Sequence, residues 1–115
     1  MIFYKKQIIR IFTDLENLKI DGIWYSGIKK EGEHKIWWEN GKLHINTNYK
    51  NGVEDGKRRK WYFNGQLHIE TNYKNGDENG EYKEWHKNGQ LYIDAKYSNG
   101  KEIYYYKYDK NGNKL

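Results

Sequence analysis

The sequence predicts an all-β fold: an elongated, single-layer antiparallel meander of repeated hairpins, twisted and curved. Three observations carry this expectation. A unit of 24 residues recurs, starting at Trp37, Trp61 and Trp85, a period typical of repeat architectures. Each unit holds two Asn-Gly pairs, in the central one Asn64-Gly65 and Asn75-Gly76, and Asn-Gly is a strong hairpin signal because both residues tolerate a left-handed backbone. Between those pairs the residues alternate. Leu67, Ile69, Thr71 and Tyr73 point one way; Gln66, His68, Glu70 and Asn72 point the other. Alternation of this kind marks a half-buried strand.

The whole chain of 115 residues reads as one repeat domain. It divides into a degenerate first repeat at about 12–36, full repeats at 37–60, 61–84 and 85–107, and a partial one at 108–115. Residues 1–10 are ambiguous, because Ile8, Ile11, Phe12, Leu15 and Leu18 have helical spacing. Against that, Phe12 to Leu18 aligns with Trp37 to Leu43. Leu18, Ile20, Gly22 and Trp24 then align with Leu43, Ile45, Thr47 and Tyr49 as one strand. A short helical cap before Phe12 is the alternative.

In the full repeats the first turn has two solutions. A two-residue loop at Asn64-Gly65 pairs Tyr62 with Leu67 and turns Trp61 to the polar side. A three-residue loop, with Gly65 as the left-handed bulge residue, pairs Trp61 with Leu67. The second collects the large apolar groups on one face and is the expected one. The returning strands, 28–36, 53–60, 77–84 and 101–107, are more polar. Three of them carry a glycine, Gly32, Gly56 or Gly80, marking a bulge or the close approach of an aromatic ring. The tail YDKNGNKL at 108–115 closes the array as half a hairpin.

Composition narrows the function classes. The chain has no Cys and no Pro, so disulfides and thiolate metal sites are excluded. No apolar run reaches the length of a helical membrane span. No signal peptide is visible, and a cytoplasmic location is the default expectation; an export signal outside this sequence is the alternative.

Four groups of residues are candidates for chemistry. His44 and His68 hold the same place in successive repeats. Two strands separate them, roughly 9.6 Å, too far to share a metal ion; solvated surface histidines are expected. Glu54, Asp55, Asp77 and Glu78 lie beside glycines, without the spacing of a calcium loop. Ser26 and Ser98 look like turn residues, so no nucleophilic triad can be built. No catalytic residue, metal site or cofactor is expected.

The formal net charge is +5, and Lys57, Arg58, Arg59 and Lys60 form the densest basic cluster. That cluster is a candidate anion site for acidic lipid or nucleic acid. The plainer reading is a sheet whose lysines block edge-to-edge aggregation. Trp24, Trp37, Trp38, Trp61 and Trp85 recur with the repeat, and Tyr49, Tyr73 and Tyr97 join them, with Trp37, Trp61 and Trp85 in equivalent places. They serve as the core of a thin sheet, as a partner-binding surface, or both; a carbohydrate on the aromatic ladder is a further option.

The pattern W-x-x-N-G-x-L-x-I-x-T-x-Y-K-N-G at 37–52 and 61–76 resembles the bacterial variant of the MORN repeat, over about residues 12–115. The resemblance implies an elongated, curved sheet of hairpins. Such proteins are often catalogued as antitoxin components of toxin–antitoxin pairs. Some carry a lipid-kinase name, yet no phosphate-cradling loop or kinase domain is present here. WYFNGQL is also similar to choline-binding hairpins, and YDKNGNKL to YD repeats of secreted toxins. The expectation is therefore a non-enzymatic interaction or scaffold module. Its partner is another protein, a toxin being one candidate. Anionic lipid and nucleic acid rank below that, and self-association is the competing use of the same face.

Overall fold

A computed structural model of the chain describes residues 18–20, 23–26 and 29–115. These form one open sheet whose strands follow one another in sequence order. Nine strands make the path: β1 (Leu18–Ile20), β2 (Ile23–Ser26), β3 (Lys29–Trp37), β4 (Leu43–Lys50), β6 (Gly56–Trp61), β7 (Leu67–Lys74), β9 (Gly80–Trp85), β10 (Leu91–Ser98) and β11 (Lys101–Lys107). Two short strands lie off it, β5 (Val53–Glu54) on β4 and β8 (Asp77–Glu78) on β7. The principal extents are 56 × 35 × 15 Å. All pairings are antiparallel.

The first turn adopts the three-residue solution. Trp61 pairs with Leu67. The Tyr62 N–H donates to the Gln66 carbonyl and the Gly65 N–H to the Tyr62 carbonyl, both at 2.9 Å. Gly65 sits at φ 92°, where a Cβ would be strained. The Asn64 side chain fixes the loop by accepting the Gln66 N–H at 2.9 Å. The second turn is tighter, with Asn75 (φ 51°) and Gly76 (φ 88°) both left-handed, the geometry of a type I′ hairpin.

The returning strands are broken near their start. Gly56 and Gly80 sit at φ 104° and 115° and open β6 and β9, with Asp55 and Asn79 separating them from β5 and β8. Of the two expectations for these glycines the break in pairing is met, whereas the nearest neighbour of each is an asparagine and not a ring. A tyrosine is the register partner of each, Tyr73 of Gly56 and Tyr97 of Gly80. The nearest side chain to a Cβ built at Gly80, however, is Asn72, at 3.4 Å.

The core is a single stripe. Thr47, Thr71 and Ala95, equivalent positions in three repeats, are 4%, 2% and 0% exposed, and Ile93 is 6% exposed. The register partners of this line are larger residues. Arg58 faces Thr71, and Tyr82 and Tyr105 face Ala95.

The N-terminal end differs from expectation. Leu18 to Trp24 do not form one strand. Leu18–Ile20 pairs with Ile23–Ser26, Leu18 against Tyr25, so the alignment with Leu43 to Tyr49 fails there. The helix-or-strand question at residues 1–10 and most of the degenerate repeat before β1 lie outside the described residues. At the other end Tyr108 bridges Lys114 and the Leu115 N–H donates to Lys107 at 2.8 Å, the expected half hairpin. Among the described residues no helix is long and apolar enough to cross a membrane.

Candidate functional site

A second ring-lined surface accompanies the apolar stripe. The residue after each repeat's leading Trp is Trp38, Tyr62 or His86. Each contacts a ring six positions later. Trp38 stacks on His44 with centroids 3.5 Å apart, Tyr62 stacks on His68 at 4.0 Å, and His86 tilts over Tyr92 at 4.5 Å. The three-residue loop brings these rings together. It offsets the pairing by one residue at Trp61, so strict alternation stops at the turn.

The same leading rings tie the repeats to one another. Trp38 Nε1 donates to the Trp61 carbonyl at 3.2 Å, and Tyr62 Oη to the Trp85 carbonyl at 2.7 Å. His86 Nε2 lies 3.0 Å from the Tyr108 carbonyl; a carbonyl only accepts, so that nitrogen carries a proton. At the opposite edge Asn51, Asn75 and Asn99 donate backbone N–H groups to Glu31, Asp55 and Asn79.

His44 and His68 are therefore not solvated surface histidines. They are half-buried against rings, and both imidazoles are held below the ordinary range. Burial is the first cause for each, and Lys60 adds to it. Glu84, with an oxygen 3.5 Å from His68 Nε2, pulls the other way. Burial also pushes the Tyr62 phenol up. Among the described residues no three His, Asp or Glu side chains gather closely enough to hold a metal ion.

Around these stacks lies a groove of about 530 Å³. Trp38, Trp61, Tyr62 and Phe63 supply ring walls, and Lys60 and Lys87 supply charge. Phe63 stands edge-on to Trp38 at 5.6 Å, and Lys87 Nζ sits 5.9 Å above the Tyr62 ring.

The basic cluster is split by strand geometry. Arg59 Nε bonds Glu70 at 2.6 Å, Lys57 Nζ reaches the same carboxylate at 4.0 Å, and Arg58 Nε lies 3.5 Å from Glu54. Glu54 also accepts from the buried Thr47 hydroxyl at 3.2 Å. Of the four cations, Lys60 alone has no ion pair among the described residues, and it lines the groove.

The aromatic candidates occupy one recurring register. Trp37, Trp61 and Trp85 pair with Leu43, Leu67 and Leu91. Trp37 is 56% exposed, whereas Trp61 and Trp85 are half-buried. Tyr49, Tyr73 and Tyr97 each face a glycine and are half-buried. Burial pushes the Tyr73 and Tyr97 phenols up, and Lys30 Nζ lies 4.8 Å over Tyr49. Only Trp61 of this set also lines the groove. Reading the sequence strand by strand missed Tyr62, Phe63 and Lys87. Their signal was present: a ring follows the leading Trp in all three repeats, with a second ring six residues on.

Comparison with known proteins matches the chain's repeats to the MORN repeat variant at residues 30–51, 54–75 and 78–99. The curated proteins and solved structures returned no match. The three matched segments are consecutive, cover more than half of the chain, and each spans the first turn and the two long strands that flank it, ending at the Asn of the second turn. This chain belongs to the MORN repeat variant family.

Proposed function

We propose that this chain is a non-catalytic repeat module that docks another protein, with antitoxin-like masking of a toxin as its specific role. The supporting observation is the open apolar surface of a one-layer sheet. Trp37 is 56% exposed and Phe63 is 51% exposed, with no second layer among the described residues to cover them. Large rings of this kind dominate binding energy when a partner buries them. The ion pairs of Lys57, Arg58 and Arg59 favour a protein partner over acidic lipid or nucleic acid, because their charge is already compensated within the sheet.

The test is co-expression with the product of the adjacent gene, followed by size-exclusion chromatography at low and high salt. The expected complex survives high salt and is weakened by Trp37→Ala or Trp85→Ala, but not by Lys96→Ala. A complex that dissolves in salt and depends on Arg58 and Arg59 would move the reading to an anionic partner. Sedimentation of the isolated chain tells whether a second copy covers the aromatic surface instead.

A further inference from the structure

We propose that the groove beside the Trp38–His44 and Tyr62–His68 stacks binds a small organic anion that carries a flat ring, an aryl phosphate or an aryl carboxylate. The argument begins with charge. Lys60 and Lys87 line the groove, and neither makes an ion pair among the described residues. No carboxylate lines it. The neighbouring cations Lys57, Arg58 and Arg59 are paired with Glu70 and Glu54, so within that cluster the uncompensated charge is that of Lys60, in the groove. Lys60 is half-buried. Its ammonium group has no carboxylate partner among the described residues, and an incoming anion would supply one.

The rings define the rest of the occupant. Trp38, Trp61, Tyr62 and Phe63 form the walls, and Phe63 keeps half its surface open. A bare inorganic ion would leave these rings uncovered. A neutral ring would leave both lysines uncompensated. A ring bearing an anion meets both needs, and a groove of about 530 Å³ falls in the range of small-molecule sites. The two imidazoles beside Lys60 respond to such an occupant, since added negative charge favours their protonated forms.

This site shares Phe63 with the protein-docking surface but is tested apart from it: it depends on Lys60 and Lys87, while that surface depends on Trp37 and Trp85. The test is calorimetric titration of the full chain with four probes at fixed ionic strength: phenyl phosphate, benzoate, inorganic phosphate and phenol. At least one aryl anion should saturate at one site and bind about tenfold or more tightly than inorganic phosphate or phenol. Which aryl anion wins separates the phosphate from the carboxylate source. Lys60→Gln and Lys87→Gln should each weaken it severalfold, with circular dichroism confirming an intact sheet, and Arg59→Gln should leave it unchanged. In the same titration followed by NMR, the His44 and His68 ring signals should shift toward higher pKa. The proposal is overturned if neither aryl anion saturates, if inorganic phosphate or phenol binds as well, or if folded Lys60→Gln and Lys87→Gln variants bind like the parent chain.

Discussion

The Tyr62 hydroxyl donates to the Trp85 carbonyl at 2.7 Å, while the same ring stacks on His68 at 4.0 Å. One side chain therefore closes its own hairpin and holds the next repeat. Tyr62→Phe keeps the stack and deletes the inter-repeat bond. The expected loss is about 0.5–1.5 kcal/mol, read from the urea midpoint. An unchanged midpoint would mean that water replaces the hydroxyl without cost.

Gly41 separates backbone strain from crowding. A Cβ there meets nothing within 4 Å, yet its φ is +86°. Gly41→Ala should cost roughly 1–2 kcal/mol through conformation alone. Gly65→Ala should cost about the same, because only the flexible Lys42 side chain approaches, at 3.5 Å. Thermal melts of both variants check this; a parent-like melting temperature for either contradicts the turn geometry.

Ala95 is fully buried between Tyr82 and Tyr105 on its two neighbouring strands. Ala95→Leu adds volume where those rings already meet the stripe. Overpacking of this kind costs about 1–3 kcal/mol. Guanidinium unfolding measures it, and a stabilised variant would show that the stripe holds spare room.

The half-buried imidazoles set a pH dependence. His44 and His68 titrate below their ordinary range in the folded chain, so folding favours the neutral rings. Their contribution is complete above the unfolded value, near pH 6.5, and is lost as pH falls through the depressed folded values. Glu78 behaves oppositely. Burial raises its carboxyl, so its contribution is present in acid and is lost as pH rises through its raised folded value. Between about pH 8 and 5.5 the histidines should dominate, with stability decreasing on acidification. The double variant His44→Gln, His68→Gln should flatten that slope; an unaltered slope would assign it to other groups.

Much of this architecture was readable from the chain. Asn75-Gly76 announced its turn because few residue pairs accept two left-handed conformations in succession. Trp61 opposite Leu67 followed from placing large apolar groups together. The ring stacks escaped because alternation was carried straight through the turn, where the bulge at Trp61 cancels it. That placed His68 in water when it lies on Tyr62. The partners of the basic cluster went unseen for a related reason. Arg59 and Glu70 are 11 positions apart and meet only across the ladder, so reading 57–60 as one strand left its counter-charges out of view. The first hairpin was hidden because Leu18 to Trp24 imitates the repeat while folding back on itself.

Among the described residues the ties between repeats run one step along the array. Trp38 reaches Trp61, Tyr62 reaches Trp85 and His86 reaches Tyr108, and on the other edge Asn75 reaches back to Asp55 and Asn99 to Asn79. Excising 61–84 would join Lys60 to Trp85 and offer each broken tie an equivalent partner, and duplicating that segment would do the same. Length is thus a free variable for this chain. Gene slippage can lengthen or shorten the sheet in whole steps without redesigning any contact, as links are added to or taken from a watch strap.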